Sequence, residues 1–280
     1  MSAPGLRLTS LADLAARVGD GQQLAVPSDF SGFYSGVAMA ATFELVRRGV
    51  RDLHLVVLPT AGLQADVLIG AGCIRTLQAS SVFMGEYGVP PRFLDGFRNR
   101  AFTMLEATCP AIHAAFQAGE KGIPFIPLRG VLGSDLVGLR SDWKVIDNPF
   151  AAGDPILLLP ALNPDWTLFH APMADRFGNV WYGRRRELAV MARASAGTLV
   201  TVERLYDGNL MEDEALSCAT LPELYVDAVA VVPGGAAPYG FGDTYAEDRA
   251  VIRRYMDEAR TEAGFRRWVD QHLAPALETR

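Results

Sequence analysis

The sequence predicts an α/β fold: an open, mostly parallel sheet with helices on both faces. Three observations lead there. Short apolar, β-branched runs alternate with stretches of helical period along most of the chain, as a series of βαβ units requires. The clearest run, DLHLVVLP at 52–59, is apolar almost throughout, the pattern of a strand covered on both faces. Half of the 280 residues are hydrophobic and 21% are charged, which supplies a sizeable core for one domain spanning 1–280.

Ser10 and Asp13 have the spacing of a helix start, with Leu11, Leu14, Ala15 and Val18 on one face and Gly19 where a C-cap belongs. Residues 23–26 read as a buried strand, and 35–48 as a helix stopped by Gly49. After the strand at 52–59, the alternation continues with helix 63–69, strand 74–78, helix 92–98 and strand 102–106. Helix 111–118 leads into strand 123–127. In the segment 143–183, Asp147, Asn148 and Pro149 signal a turn, and Gly153-Asp154-Pro155 breaks the chain before strand 156–159. Strand 166–170 follows, then a tight turn at 175–179 and a short aromatic strand ending at Gly183. Helix 187–194, strands 198–203 and 225–232, and helices 246–262 and 264–277 complete the chain. No repeat, low-complexity segment or long linker divides it.

Composition excludes several classes. The formal charge of −6 and a pI near 5.3 argue against a nucleic-acid surface. The longest basic run, Arg184-Arg185-Arg186, precedes Glu187 and reads as a solvated helix start, with a phosphate clamp as the alternative. Cys73, Cys109 and Cys218 lack paired spacing, so neither a disulfide framework nor a zinc site is implied. No basic-then-apolar leader opens the sequence, and no apolar run approaches the roughly 20 residues that cross a bilayer. A cytoplasmic protein without membrane or nucleic-acid partners is expected.

The motifs within 143–183 carry the functional signal. IDNPF at 146–150, PALNPDWTLFHA at 160–171 and DRFGNVW at 175–181 occur in the order found in α subunits of class I coenzyme A transferases, especially the glutaconate type, which this chain resembles. FELVRRGVRDLHLV, GIPFIPLRG with GSDL after it, and LYVDAVAVVPGGAAP extend the resemblance over nearly the whole chain. It implies an open α/β sheet and a homologous β subunit, usually as α2β2. It also implies an acyl-CoA and a small carboxylic acid as substrates. It implies no permanently bound cofactor, with coenzyme A entering as the substrate thioester. The nucleophilic glutamate is expected on the β subunit, where its carboxylate attacks the thioester to give a mixed anhydride and then an enzyme thioester.

In open α/β sheets ligands sit at the carboxyl ends of strands, so the polar residues there are the first candidates. Ser28, Asp29 and Phe30 follow the first strand, where the family places a glycine-rich loop whose N–H groups face the thioester oxygen. Pro27 removes one such donor, and a plain β–α loop with Asp29 or Ser31 capping a helix is the alternative. Glu86, in Met84-Gly85-Glu86-Tyr87-Gly88, imitates the nucleophile's glutamate-glycine turn loosely; otherwise it is a surface carboxylate. Glu106 ends a strand and precedes a helix, where partial desolvation could tune a base. It resembles an α-subunit glutamate of a family branch that hydrolyses ring ketones of CoA-linked steroid fragments; its alternative is a helix-terminal carboxylate with no chemical task. Gly133, Ser134 and Asp135 form the GSDL turn of that branch, able to offer hydroxyl and backbone donors, or else a simple Asx turn. His170 matches a family position at the end of its strand, whereas His54, His113 and His272 read as packing residues. Three readings remain open: a transferase α subunit, a CoA-dependent hydrolase or lyase using Glu106, and a non-catalytic subunit that completes a partner's site.

Overall fold

The computed structural model describes residues 8–29 and 36–273. Ser10 accepts the Asp13 N–H and caps α1 (Leu11–Ala15), and β1 (Gln23–Pro27) follows. Helix α2 (Met39–Arg48) ends at Gly49, whose φ of 70° lies in the left-handed region that favours glycine. The alternation then runs through β2 (Leu53–Leu58), β3 (Thr60–Ala61), α3 (Leu63–Gly70), β4 (Ile74–Ala79), β5 (Ser81–Val82), α4 (Pro91–Arg98), β6 (Thr103–Glu106) and α5 (Cys109–Glu120). Next come β7 (Phe125–Leu128), the short α6 (Leu136–Leu139), β8 (Lys144–Asp147), β9 (Pro155–Pro160), β10 (Trp166–Asp175) and β11 (Val180–Trp181). The remaining elements are α7 (Arg186–Ala194), β12 (Gly197–Tyr206), β13 (Thr220–Leu221), β14 (Ala228–Val231), α8 (Arg249–Glu258) and α9 (Glu262–Leu273).

Among the described residues the main sheet has nine strands. Strands β14-β12-β10-β1-β2-β4-β6 are neighbours in that order and all parallel, while β11 and β13 extend the far end of β10 antiparallel. Alternate residues of each strand face opposite layers. Leu55 and Val57 of β2 join Leu24, Leu77 and Leu168 under α1, α2 and α3. Val56 and Leu58 join Phe169, Val200 and Val202 under α5 and α7. Helices α8 and α9 form a further layer, where Tyr255 and Trp268 pack on Met39, Phe43 and Val67. No helix among the described residues is long and apolar enough to cross a membrane.

The structure corrects several expectations. The runs at 123–127 and 156–159 do not join the parallel sheet. As β7 and β9 they form, with the unexpected β8, a separate antiparallel sheet in the order β7-β9-β8. Periodicity could not tell the two apart. The run PILLLP reads simply as an apolar strand, and its faces differ only in the structure: Leu157 and Leu159 are buried while Ile156 and Leu158 are half-buried. The turn signal at Asp147-Asn148-Pro149 closes the β8–β9 hairpin, where the Asn148 N–H donates to the Asp154 carbonyl. Strand β10 does not stop at His170: it runs to Asp175, because Met173 and Ala174 still pair with β12 and with β11. Helix α2 starts only at Met39, and β14 only at Ala228, after a 3-10 turn over Glu223–Tyr225. The expected helical residues 274–277 lie outside the described residues.

Candidate active site

From β1 the chain moves one way across the sheet through β2, β4 and β6, and later returns to the other side of β1 as β10. The carboxyl ends around β1 are therefore the topological switch point, where ligands of open α/β sheets collect. The loops leaving these strands are tied together. The Asp29 N–H donates to the Thr60 carbonyl at 2.8 Å, and β3 pairs with β5 between them.

Asp29 is fully buried, and its Oδ2 accepts the backbone N–H groups of Gly62, Gln64 and Ala65 at 3.0, 2.6 and 3.3 Å. It caps α3 across the sheet edge rather than the helix that follows it in sequence. Gly62 permits this approach, since a Cβ there would lie 2.7 Å from the Asp29 carbonyl oxygen. Burial pushes the Asp29 carboxyl up to about 6, against the pull of Tyr239 and of the three N–H groups. Ser28 is also buried, and its hydroxyl accepts the Thr60 N–H at 3.4 Å. Phe30 lies outside the described residues.

His170 lies beneath the same switch point. Its N–H donates to the Gly36 carbonyl at 2.7 Å, holding the returning end of the first loop against β10. The ring is buried between Thr201, 2.8 Å from Nδ1, and Glu203, 2.7 Å from Nε2. Glu203 also accepts the Tyr245 hydroxyl at 2.7 Å and the Gly234 N–H at 2.9 Å. Burial lowers the His170 pKa and outweighs the neighbouring carboxylate, so the neutral ring donates from Nε2 and accepts the Thr201 hydroxyl at Nδ1. Burial pushes the Glu203 carboxyl up, but its three donors outweigh burial and hold it below its ordinary value. Gly235 is needed above this ring, where a Cβ would meet His170 at 2.6 Å.

Glu106 ends β6, the edge of the parallel sheet, with its side chain exposed to a cleft of about 580 Å³. Ser80, Ser81, Thr108 and Cys109 line the polar side of the cleft, and Val82, Phe93, Phe97, Met104 and Leu136 line the apolar side. The Ser80 hydroxyl sits 3.2 Å from the Cys109 sulfur, and Thr108 caps α5 by accepting the Ala111 N–H. Behind the wall, buried Arg140 donates to the Glu106 carbonyl at 3.0 Å, pairs with Asp142 and lies over the Trp143 ring at 4.6 Å. That bond joins Glu106 to the segment after the GSDL turn. Gly133 has a φ of 80°, the Ser134 hydroxyl donates back to the Val131 carbonyl at 2.7 Å, and Asp135 is exposed with no capping bond from its side chain.

The candidates therefore separate. Glu106 and the GSDL segment come together, because Leu136 lines the Glu106 cleft. Ser28, Asp29 and His170 organise the adjacent switch point from below. Glu86 sits on an exposed 3-10 turn, 3.5 Å from Arg249, and does not line the cleft. Arg185, expected to be solvated, is buried beside Glu187 at the start of α7. Glu203, Tyr245, Arg140, Ser80 and Cys109 were not singled out in the sequence. Ser80 lies just past the end of β4 and was within reach of the strand-terminal rule; Glu203 ends the strand read at 198–203, although β12 runs on to Tyr206. Tyr245 and Arg140 arrive through loops remote in sequence and carry no local signal.

The sequence profile of a family described as coenzyme A transferase matches residues 8–231. The chain is 33% identical to the A-type subunit of 3-oxoadipate CoA-transferase from Pseudomonas knackmussii, covering 91% of this chain and 89% of that one. It is 27% identical to the cholesterol ring-cleaving hydrolase IpdA subunit of Rhodococcus jostii, over 84% of this chain and 82% of that one. Its structure is similar to glutaconate coenzyme A-transferase from Acidaminococcus fermentans, with a TM-score of 0.84, 26% identity, and coverage of 95% and 88%. It is equally similar to the decarboxylase AibA/AibB, with a TM-score of 0.84, 28% identity, and coverage of 96% and 98%.

Proposed function

The chain belongs to the coenzyme A transferase family, as an α-type subunit of class I, and from that premise we propose that it moves coenzyme A between an acyl-CoA thioester and a carboxylic acid together with a homologous β subunit. The observation that carries this reading is the 33% identity to the corresponding subunit of a transferase over nearly the full length of both chains. The β subunit supplies the glutamate that attacks the thioester carbonyl and expels the coenzyme A thiolate, giving a mixed anhydride. Coenzyme A then displaces the acid to leave an enzyme thioester, which the acceptor acid resolves.

This chain supplies the acyl-side wall. Glu106 is the one carboxylate among the described residues lining its cleft, which fits a nucleophile arriving from elsewhere. The buried His170–Glu203–Tyr245 network ties β10, β12 and the 234–236 turn together beneath the switch point, and the His170 backbone N–H holds Gly36 there. Assembly as α2β2 in the cytoplasm follows the family pattern.

A second reading keeps the fold and changes the reaction. The likeness to a decarboxylase and to a ring-cleaving hydrolase favours a lyase or hydrolase in which Glu106 moves protons and no acceptor acid is needed. The test is loss of acyl-CoA by the co-expressed subunits, with and without added carboxylic acids. Acid-dependent formation of a new acyl-CoA is expected. Consumption without an acceptor moves the assignment to the second reading. Glu106→Gln separates them further: a transferase retains activity within about tenfold, whereas loss of a general acid–base costs about 10²-fold or more.

A further inference from the structure

We propose that the Glu106 cleft seats the acyl portion of the thioester and selects neutral, apolar acyl groups over those ending in a second carboxylate. This rests on the reading of the chain as part of an acyl-CoA enzyme and narrows its substrate class. The two transferases it resembles are named for dicarboxylic acids, 3-oxoadipate and glutaconate. A site for a second carboxylate needs a cation or a cluster of free donors.

This cleft offers the reverse. Val82, Phe93, Phe97, Met104 and Leu136 present apolar surface, and none of the described lining residues is basic. Its one formal charge is the negative charge of Glu106. The guanidinium behind the wall, that of Arg140, is buried and already bound to the Glu106 carbonyl and to Asp142. A second carboxylate placed here would lose its water and meet a like charge; the Ser80 and Ser81 hydroxyls already donate to Pro59 and Thr60, which leaves only the neutral Thr108 and Cys109 groups to receive it and no cation. A hydrocarbon chain or ring would cover the two phenylalanines and the methionine instead. The volume of about 580 Å³ suits a group of that size.

The test compares hexanoyl-CoA with adipyl-CoA, equal in chain length and different in terminal charge, using the complex of this chain with its β subunit. A kcat/KM at least tenfold higher for hexanoyl-CoA is expected. Equal or better use of adipyl-CoA by the unaltered complex overturns the inference. Phe97→Arg places a cation on the half-exposed rim without opening the core, and it should raise the adipyl-to-hexanoyl ratio at least tenfold; an unchanged ratio also overturns the inference. If neither thioester is consumed, the catalytic reading falls by itself, and binding by equilibrium dialysis still decides the preference. Tighter hexanoyl-CoA supports it, and equal binding refutes it.

Discussion

Asp66 shows how much a single buried carboxyl can control. It is fully buried at α3, where it accepts the N–H groups of Arg92 and Phe93 and the hydroxyl of Tyr255 at 2.5 Å. Burial pushes its pKa to about 7, and that of Asp29 to about 6, against the pull of their donors. An unfolded aspartate titrates near 3.8, so folding takes up protons between that pH and about 7. Their contribution to stability is complete below about pH 4 and is lost as pH rises through 6 and 7. Tyr255→Phe removes a donor to the charged form while keeping the ring on Trp268. It should cost about 1–3 kcal/mol at pH 8 and less at pH 5. Urea unfolding at both pH values measures this, and an equal loss at each would contradict it.

At the scale of elements, the side chains of His170 and Glu203 bind β10 to β12 and to the 234–236 turn. Neither strand carries the network alone: Glu203 gathers donors from β10, from Gly234 and from Tyr245. His170→Ala leaves the carboxylate short of a donor and should cost about 1–3 kcal/mol in denaturant unfolding. His170→Gln, whose amide can donate to Glu203, should recover part of that loss. If alanine and glutamine were equivalent, the hydrogen bond would not be what holds these strands.

At the scale of the molecule, the small β7-β9-β8 sheet shields one face against the core and leaves the other open. Phe150, 95% exposed on the β8–β9 hairpin, stands beside a sheet that also exposes Phe125 and Ile146. Uncovered apolar side chains gathered on one surface mark an interaction site, and Phe150 belongs to the IDNPF run of the family block. Phe150→Asp should lower recovery of the co-expressed β subunit at least tenfold. The chain's own unfolding should shift by no more than about 0.5 kcal/mol, as for an ordinary surface change. Undiminished co-purification would assign the β subunit to another surface.

The sequence by itself determined the parallel core, the family and the position of Glu106. Each of these is written in local order: strand periodicity, the motif run at 146–181, and a polar residue ending a strand. It left open whether Asp29 capped a helix, and the structure assigns the cap to α3 rather than to the next helix. It marked 123–127 and 156–159 as strands without showing that they form a sheet of their own, because PILLLP has the same apolar pattern in either setting. The partners of His170 and Glu106 were decided only by the tertiary structure. Glu203 and Arg140 reach them from 33 and 34 residues away, and Tyr245 reaches Glu203 from 42; such contacts exist only once the intervening strands have packed. Local pattern records which groups a segment offers; the crossover of the chain at the switch point determines which of them meet.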